Sequence, residues 1–160
     1  MSLATIAKGI TFSSKSEIMY FIKSLGRCQD CLDWASTQLN INQIFKNCPS
    51  NWRADAVCLG IDQFLKHDNM TTDDWARVLT VRYELLTRCP VIEMFNPSQI
   101  AYILSYQPQA ISVFMTQSGS LTPVQWKRIC KRQPSLLGVS PLSAEERVEI
   151  LNACSKVKCR

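Results

Sequence analysis

Apolar residues recur at helical spacing along much of the chain, and the pattern is clearest between residues 72 and 137. Three segments in this region place large apolar residues at positions i, i+3 and i+4, which lie on one face of an α-helix. Trp75, Ile100 and Trp126 open the three patterns at intervals of about 25 residues, a spacing typical of stacked supersecondary units. We therefore predict three copies of one short helical unit over residues 72–137.

A break in the helical pattern follows the apolar stripe of each copy. The second and third copies break at Pro108 and Pro134, whereas the first copy has Tyr83 at the matching position. Proline disfavours helical geometry in the residue before it, but it suits the first turn of a new helix. Each copy is thus predicted to be a short helical hairpin, which can bury its apolar face only by stacking on neighbours.

A longer helix is predicted before these copies. Ser50 is a favoured N-cap residue, because its hydroxyl can accept a hydrogen bond from the first helical turn. The apolar periodicity after it extends to about Lys66. Trp52, Ala56 and Leu59 fall on one face of this helix, so we expect them to face the core.

The C-terminal segment carries the signature of another helix. Ser143 and Glu146 have the spacing of a capping box, in which each side chain bonds to the other residue's backbone N–H. We expect the helix that follows to bury Val148, Ile150 and Leu151.

These elements together predict an all-α fold, an array of short helices with irregular helical-hairpin repeats in the C-terminal half. Five glycines are few for a turn-dense β-fold, and a chain of 160 residues has the length of one domain. We expect a single all-α domain over residues 1–160. Its predicted regions are N-terminal helices (1–71), three helical-hairpin repeats (72–137), and a capping helix with a basic tail (138–160).

The positive charge is concentrated in the second half of the chain. Residues 81–160 contain ten Lys or Arg and five Asp or Glu, so this half carries the whole formal net charge of +5. The candidate basic patch consists of Lys127, Arg128, Lys131, Arg132, Lys156 and Lys158. Such a cluster is either a solvated outer face or a surface that binds phosphate or an acidic partner.

No group of residues typical of a catalytic site occurs in the sequence. His67 is the only histidine, and it lies in a polar break. The sequence contains no G-x-S-x-G, P-loop or H-E-x-x-H motif. We therefore expect no enzymatic activity and no cofactor.

The eight cysteines raise the question of a metal or redox site. Cys28 and Cys31 form a C-x-x-C pair that could bind zinc together with Cys48 and Cys58, although the spacing of the second pair is unusually long. Free cysteine also behaves as a small buried hydrophobic residue. We expect mostly reduced core cysteines and no metal.

The third copy carries a resemblance to a known family. Its amphipathic helix is followed by the step Pro134-Ser135-Leu136-Leu137, and a similar helix runs from Asn96 to Pro108. Over residues 96–151, this resembles the helical repeats of the mitochondrial transcription termination factor family. The resemblance implies a curved stack of helices that binds duplex nucleic acid along a basic surface. The backbone contacts that it implies are Lys127, Arg128, Lys131 and Arg132.

The leading functional prediction is a non-enzymatic helical protein–protein interaction module located in the cytoplasm. The alternative is a nucleic-acid-binding helical-repeat module that uses the basic helix at residues 126–132. A protein partner is therefore expected first and nucleic acid second, and a homo-oligomer is compatible with either. No run of 18 apolar residues occurs, so we expect no membrane span.

Overall fold

The computed structural model describes residues 9–26, 29–67 and 69–158, and every regular element within them is helical, which confirms the all-α prediction. The α-helices are α1 (Lys15–Ser24), α2 (Gln29–Thr37), α3 (Ile41–Asn47), α4 (Ser50–Cys58), α5 (Thr72–Val81), α6 (Pro97–Tyr106), α7 (Pro123–Arg132) and α8 (Ala144–Lys158). Short 3₁₀-helices cover Asp62–His67, Tyr83–Arg88, Ile92–Met94, Pro108–Ser112, Ser118–Ser120 and Pro134–Gly138.

Contacts between Cα atoms divide the chain into two compact units, Met1–Asp74 and Trp75–Arg160. The division falls within α5, close to the predicted junction at residue 71 between the N-terminal helices and the hairpins. The prediction of a single domain over residues 1–160 stays a prediction.

The core of the first unit is formed by α1 to α4 and by the 3₁₀-helix that follows α4. Its buried apolar side chains come from each of these elements and include Ile18, Ala35, Ile44, Val57 and Phe64. The ring of Phe64 also packs edge-on against Phe45, with 4.9 Å between the ring centroids. The apolar periodicity of the sequence thus gives several short helices that share one interior.

The helix predicted from Ser50 to Lys66 is shorter in the structure. It ends at Cys58, and Gly60 follows with a φ of +91°, a conformation that glycine adopts without a side-chain clash. The chain then re-enters a 3₁₀-helix over Asp62–His67. Ser50 is also the first residue of the helix and not its N-cap, which is Pro49, and the Ser50 hydroxyl donates a hydrogen bond to the Asp74 carboxylate.

The buried face of α4 differs from the predicted one. Arg53, Ala54 and Val57 are buried, whereas Trp52, Ala56 and Leu59 are only half-buried. The predicted face followed the apolar side chains alone, whereas the observed buried face includes Arg53.

Backbone carbonyl groups explain how Arg53 can be buried completely. Its guanidinium donates hydrogen bonds to the carbonyl oxygens of Phe64 at 2.8 Å, Lys46 at 3.2 Å and Cys48 at 3.2 Å. A buried charge is tolerated when hydrogen bonds replace its water. Arg53 therefore ties α3, α4 and the following 3₁₀-helix together.

Apart from residues 72–74, the segments that were predicted to be helical hairpins lie in the second unit. Each has a ten-residue α-helix (α5, α6 or α7) followed by a 3₁₀-helix of five or six residues. The backbone turns in nearly the same way at each break: φ and ψ are −123° and 70° at Arg82, −127° and 77° at Gln107, and −129° and 77° at Gln133. The short second arm is thus 3₁₀ rather than α-helical in all three segments.

Capping boxes fix the starts of the later helices. Asn96 with Gln99 and Thr122 with Gln125 form reciprocal side-chain-to-backbone bonds at the starts of α6 and α7. At the start of α8, the Ser143 hydroxyl accepts from the backbone N–H of Glu146 at 3.2 Å, and the Glu146 carboxylate accepts from that of Ser143 at 3.0 Å. The capping box predicted from these two residues is confirmed.

Helix α8 buries less apolar surface than predicted. Ile150 is fully buried, but Val148 and Leu151 are 56% and 51% exposed. Arg147 shares the inward side of the helix with Ile150 and donates to the carbonyl oxygens of Ser140 at 2.7 Å and Leu142 at 3.0 Å. As in α4, an inward-facing arginine changes which apolar residues reach the core.

Candidate interaction surface

Three cations of α7 point outward, opposite to the apolar side that anchors the helix. Trp126, Ile129 and Cys130 are buried on the inner side. The exposed cations are Arg128, Lys131 and Arg132. Residues three and four positions apart lie next to each other on a helix, so these side chains form one cluster.

Lys127 is the exception among the predicted patch residues of α7. Its ammonium lies 3.1 Å from a carboxylate oxygen of Glu146 and 3.7 Å from one of Glu149, both on α8. The hydrogen bond that the Lys127 ammonium donates to Glu146 raises the pKa of Lys127 above its usual range. The pKa of Glu146 is lowered mainly by the hydrogen bond that its carboxylate accepts from the Ser143 backbone N–H, and then by the hydrogen bond that it accepts from Lys127. Lys127 therefore connects α7 to α8 through these ion pairs.

Two of the predicted residues cannot be placed on this surface. The side chains of Lys156 and Lys158 lie outside the part of the chain that the structure describes. The candidate site thus rests on α7 and on its neighbour α6.

Aromatic side chains of α6 extend the cationic cluster. The Arg132 guanidinium lies 4.3 Å from the ring centroid of Tyr106, and it donates a hydrogen bond to the phenol oxygen at 3.1 Å. The Tyr102 ring lies edge-on to Tyr106, with 5.3 Å between centroids. Both tyrosines remain exposed, at 38% and 41% of their surface.

We call this set the basic–aromatic surface: Tyr102, Tyr106, Arg128, Lys131 and Arg132. The sequence prediction found its cations and missed its tyrosines. Their spacing of four residues on one helix was a usable signal, because such residues lie side by side. Their stacking with Arg132 could not be read from the sequence, because it joins residues on different helices.

A series of hydrogen bonds connects the helices that carry this surface. The side-chain amide of Gln107 donates to the carbonyl oxygen of Thr80 at 2.8 Å, and that of Gln133 donates to the carbonyl oxygen of Ser105 at 3.2 Å. Both acceptors lie in the last turn of a helix, where carbonyl groups lack intrahelical partners. The two glutamines occupy matching positions at the hairpin breaks, so they join α5 to the second hairpin and α6 to the third.

Two buried thiols, those of Cys48 and Cys130, are poorly suited to act as nucleophiles or metal ligands. Burial raises the pKa of the Cys48 thiol to about 12 and also raises that of Cys130. Both therefore stay protonated near neutral pH, and a protonated thiol is a weak nucleophile and metal ligand. Within the described residues, no three His, Cys, Asp or Glu side chains are placed to hold a metal ion.

One cysteine differs from the expectation of mostly reduced core residues. Cys31 is disulfide-bonded and only half-buried, whereas Cys48 and Cys58 are not disulfide-bonded. A half-buried sulfur near solvent can be oxidised more readily than one enclosed in the core. Cys28, the other member of the C-x-x-C pair, lies outside the described residues.

Comparison with known proteins leaves the surface to be interpreted from its own chemistry. No protein-family model, curated protein or solved structure matches the chain. The resemblance of residues 96–151 to the mitochondrial transcription termination factor repeats stays a prediction. In the described residues, no helix combines the length and the apolar character needed to cross a membrane.

Proposed function

We propose that this protein is a non-enzymatic interaction module that binds an acidic segment of a partner protein through its basic–aromatic surface. The observation that carries the proposal is the exposed stack of Arg132 on Tyr106, with Tyr102 beside it. Tyrosine and arginine are, with tryptophan, the residue types enriched at the energetic centres of protein interfaces. Their apolar ring surfaces supply contact area, and the guanidinium supplies recognition of carboxylates.

Preorganisation supports this proposal. Arg132 is already held by the ring and the phenol oxygen of Tyr106, so less side-chain entropy is lost when a partner binds. Gln133 connects α7, which carries Arg132, to the helix that carries both tyrosines. A rigid surface of this kind binds more tightly than one assembled from mobile side chains.

The charges around the surface favour a protein partner over nucleic acid. Glu146 and Glu149 form ion pairs with Lys127, so Lys127 does not add to the three exposed cations of α7. Nucleic-acid affinity depends on the number of phosphates that are neutralised. The three exposed cations of this surface are few for an extended phosphate backbone but enough for a short acidic peptide segment.

A nucleic-acid-binding module is the second candidate, and one observation favours it. Exposed aromatic rings next to cations can stack on unpaired bases while the cations contact phosphates. Tyr102, Tyr106 and Arg132 have this combination on adjacent helices.

We further propose that the three hairpin segments are copies of one structural repeat. Their α-helices have equal lengths, and their breaks share one backbone conformation. Gln107 and Gln133 also make matching bonds to the preceding segment. Stacked hairpins of this kind present extended binding surfaces.

The proposal is tested by native pull-down with the wild-type protein and with the double variant Tyr106→Ala, Arg132→Glu. We expect the wild type to enrich a protein partner that persists after nuclease treatment, and the double variant to lose it. Lys23→Glu reverses an exposed charge on α1 and serves as the matched control that retains the partner.

Nuclease treatment separates the two candidates. Loss of all captured material on digestion, with binding of a duplex or single strand that weakens steeply with salt, would establish the nucleic-acid alternative instead. Equal capture by the double variant would show that this surface is not the binding site.

A further inference from the structure

Helix α8 begins with a capping box, as α5, α6 and α7 do. The residue pairs that form the four boxes are Thr71 with Asp74, Asn96 with Gln99, Thr122 with Gln125, and Ser143 with Glu146. One inward-facing residue follows each box, and these anchor residues are Trp75, Ile100, Trp126 and Arg147. The four helices can therefore be compared position by position from their anchor residues.

A hydrogen bond between α8 and α7 matches one between the hairpin segments. The seventh residue after the anchor is Gln133 in the third segment and Cys154 in α8. Gln133 bonds to the carbonyl oxygen of Ser105, the fifth residue after the anchor of α6. In the same way, the Cys154 thiol donates to the carbonyl oxygen of Lys131, the fifth residue after the anchor of α7, at 3.6 Å. Helix α8 is therefore bonded to α7 as the third segment is bonded to α6.

One side of each helix faces the helix that follows it, and the residue directly after the anchor marks this side. On α7 that residue is Lys127, which forms ion pairs with two glutamates of α8. On α6 it is Ala101, which lies one helical turn before Ser105, whose carbonyl oxygen accepts from Gln133. The corresponding residue of α8 is Val148, so Val148 marks the side that would face a further helix.

This side of α8 is exposed, whereas the same side of α6 is covered. On α6, the first and fourth residues after the anchor are Ala101 and Leu104, which are 6% and 0% exposed. On α8, they are Val148 and Leu151, which are 56% and 51% exposed. Within the described part of the second unit, α8 thus presents an open contact side.

The exposed side of α8 has a pattern that can pair with itself. We call it the α8 stripe, and its residues are Ala144, Val148, Leu151 and Ser155, all of them exposed. They are separated by four, three and four residues, which is the spacing of the contact positions in paired helices. The large apolar side chains are central and the small ones lie at the ends. In an antiparallel pair, Val148 of each helix therefore faces Leu151 of the other, and Ala144 faces Ser155.

The charge sequence of α8 also favours an antiparallel pair. The first half of the helix contains Glu145 and Glu149, and the sequence of its last turn contains Lys156 and Lys158. Antiparallel alignment brings opposite charges side by side, whereas parallel alignment brings like charges together. The helix dipoles also favour the antiparallel arrangement, because each positive end then lies beside a negative end.

We propose that the α8 stripe binds the same stripe of a second copy of this chain, so that two α8 helices pack antiparallel about a twofold axis. The partner is a second copy because the stripe is complementary to itself in side-chain size and in charge, as a twofold contact requires. The contact continues the side through which α6 and α7 bind the helices that follow them. It is separate from the basic–aromatic surface, which lies on α6 and α7.

Sedimentation equilibrium over a range of protein concentrations tests this proposal. A single helix pair is a small interface, so we expect the wild type to show a weak monomer–dimer equilibrium. Leu151→Glu should weaken dimerisation at least about tenfold, because it places a carboxylate against apolar side chains. Leu39→Glu makes the same change at a position of the first unit that is 81% exposed, and it should dimerise as the wild type does. Circular dichroism checks that both variants keep their fold.

A mixing experiment tests the antiparallel arrangement. Val148→Lys should also weaken dimerisation, because it places an ammonium group against Leu151. When this variant is mixed with Leu151→Glu, the introduced lysine of one copy faces the introduced glutamate of the other. The native Val148 and Leu151 still meet in the other half of the contact. We therefore expect a heterodimer that is more stable than the dimer of either variant alone, followed through a fluorescent label on one of them.

Three results would overturn the proposal. These are a wild type that stays monomeric at every concentration, a folded Leu151→Glu variant that dimerises as the wild type does, and no heterodimer in the mixture, which would exclude the antiparallel contact. A monomeric wild type whose captured protein partner is lost in Leu151→Glu would assign the α8 stripe to a different protein instead.

Discussion

Two inward-facing arginines decide the packing of their helices at the scale of single residues. Arg53 and Arg147 each donate to backbone carbonyl oxygens from neighbouring segments. Arginine counts as polar in a sequence pattern. The buried faces of α4 and α8 that apolar residues alone predict therefore differ from the observed ones. The affected residues, Trp52 and Val148 among them, lie nearer to solvent than their apolar character predicts.

Replacing Arg53 tests its structural role. Arg53→Ala is expected to lower the free energy of unfolding by about 3 kcal/mol or more, because it leaves buried carbonyl groups without a donor and creates a cavity. Urea unfolding followed by circular dichroism measures this change. The exposed Lys66→Ala variant of the same unit should change it by less than about 0.5 kcal/mol. Similar small effects of both substitutions would show that the buried guanidinium is dispensable.

At the scale of elements, the three hairpin segments show what the sequence can predict. Apolar spacing and proline position are local signals, and they placed α5, α6 and α7 correctly. The second arms were assigned as short helices, but five or six residues at these breaks adopt 3₁₀ geometry. The end of α4 was placed too late because Gly60, which has a positive φ, was not read as a stop signal.

The bonds from Gln107 and Gln133 should contribute measurably to stability. Gln107→Met keeps the length of the side chain but removes the donor to Thr80, so we expect the free energy of unfolding to fall by about 1 kcal/mol. Gln133→Met should have a similar effect through Ser105.

Urea unfolding also checks these two substitutions. Asn152→Ala, at an exposed position of α8, is the control and should leave the unfolding midpoint nearly unchanged. If both methionine variants match this control, the glutamines do not stabilise the contacts between hairpin segments.

At the scale of the whole molecule, the candidate site is only partly visible in the sequence. The cations of α7 follow from helical periodicity. The pairing of Lys127 with Glu146 and the stacking of Arg132 on Tyr106 do not, because they join residues on different helices. The first of these contacts removes a cation from the predicted patch, and the second adds an aromatic ring. Both contacts support our proposal that the partner, which the sequence already predicted to be a protein, binds through an acidic segment.

Site-specific photo-crosslinking tests the central claim most directly. A photoreactive phenylalanine analogue at Tyr102 leaves the Arg132–Tyr106 stack intact, and the same analogue at Tyr20, which is 77% exposed on α1, serves as the control. We predict a nuclease-resistant, protease-sensitive crosslinked species from position 102 and none from position 20. A nuclease-sensitive species, or equal crosslinking from both positions, would contradict the proposal that this surface binds a protein partner.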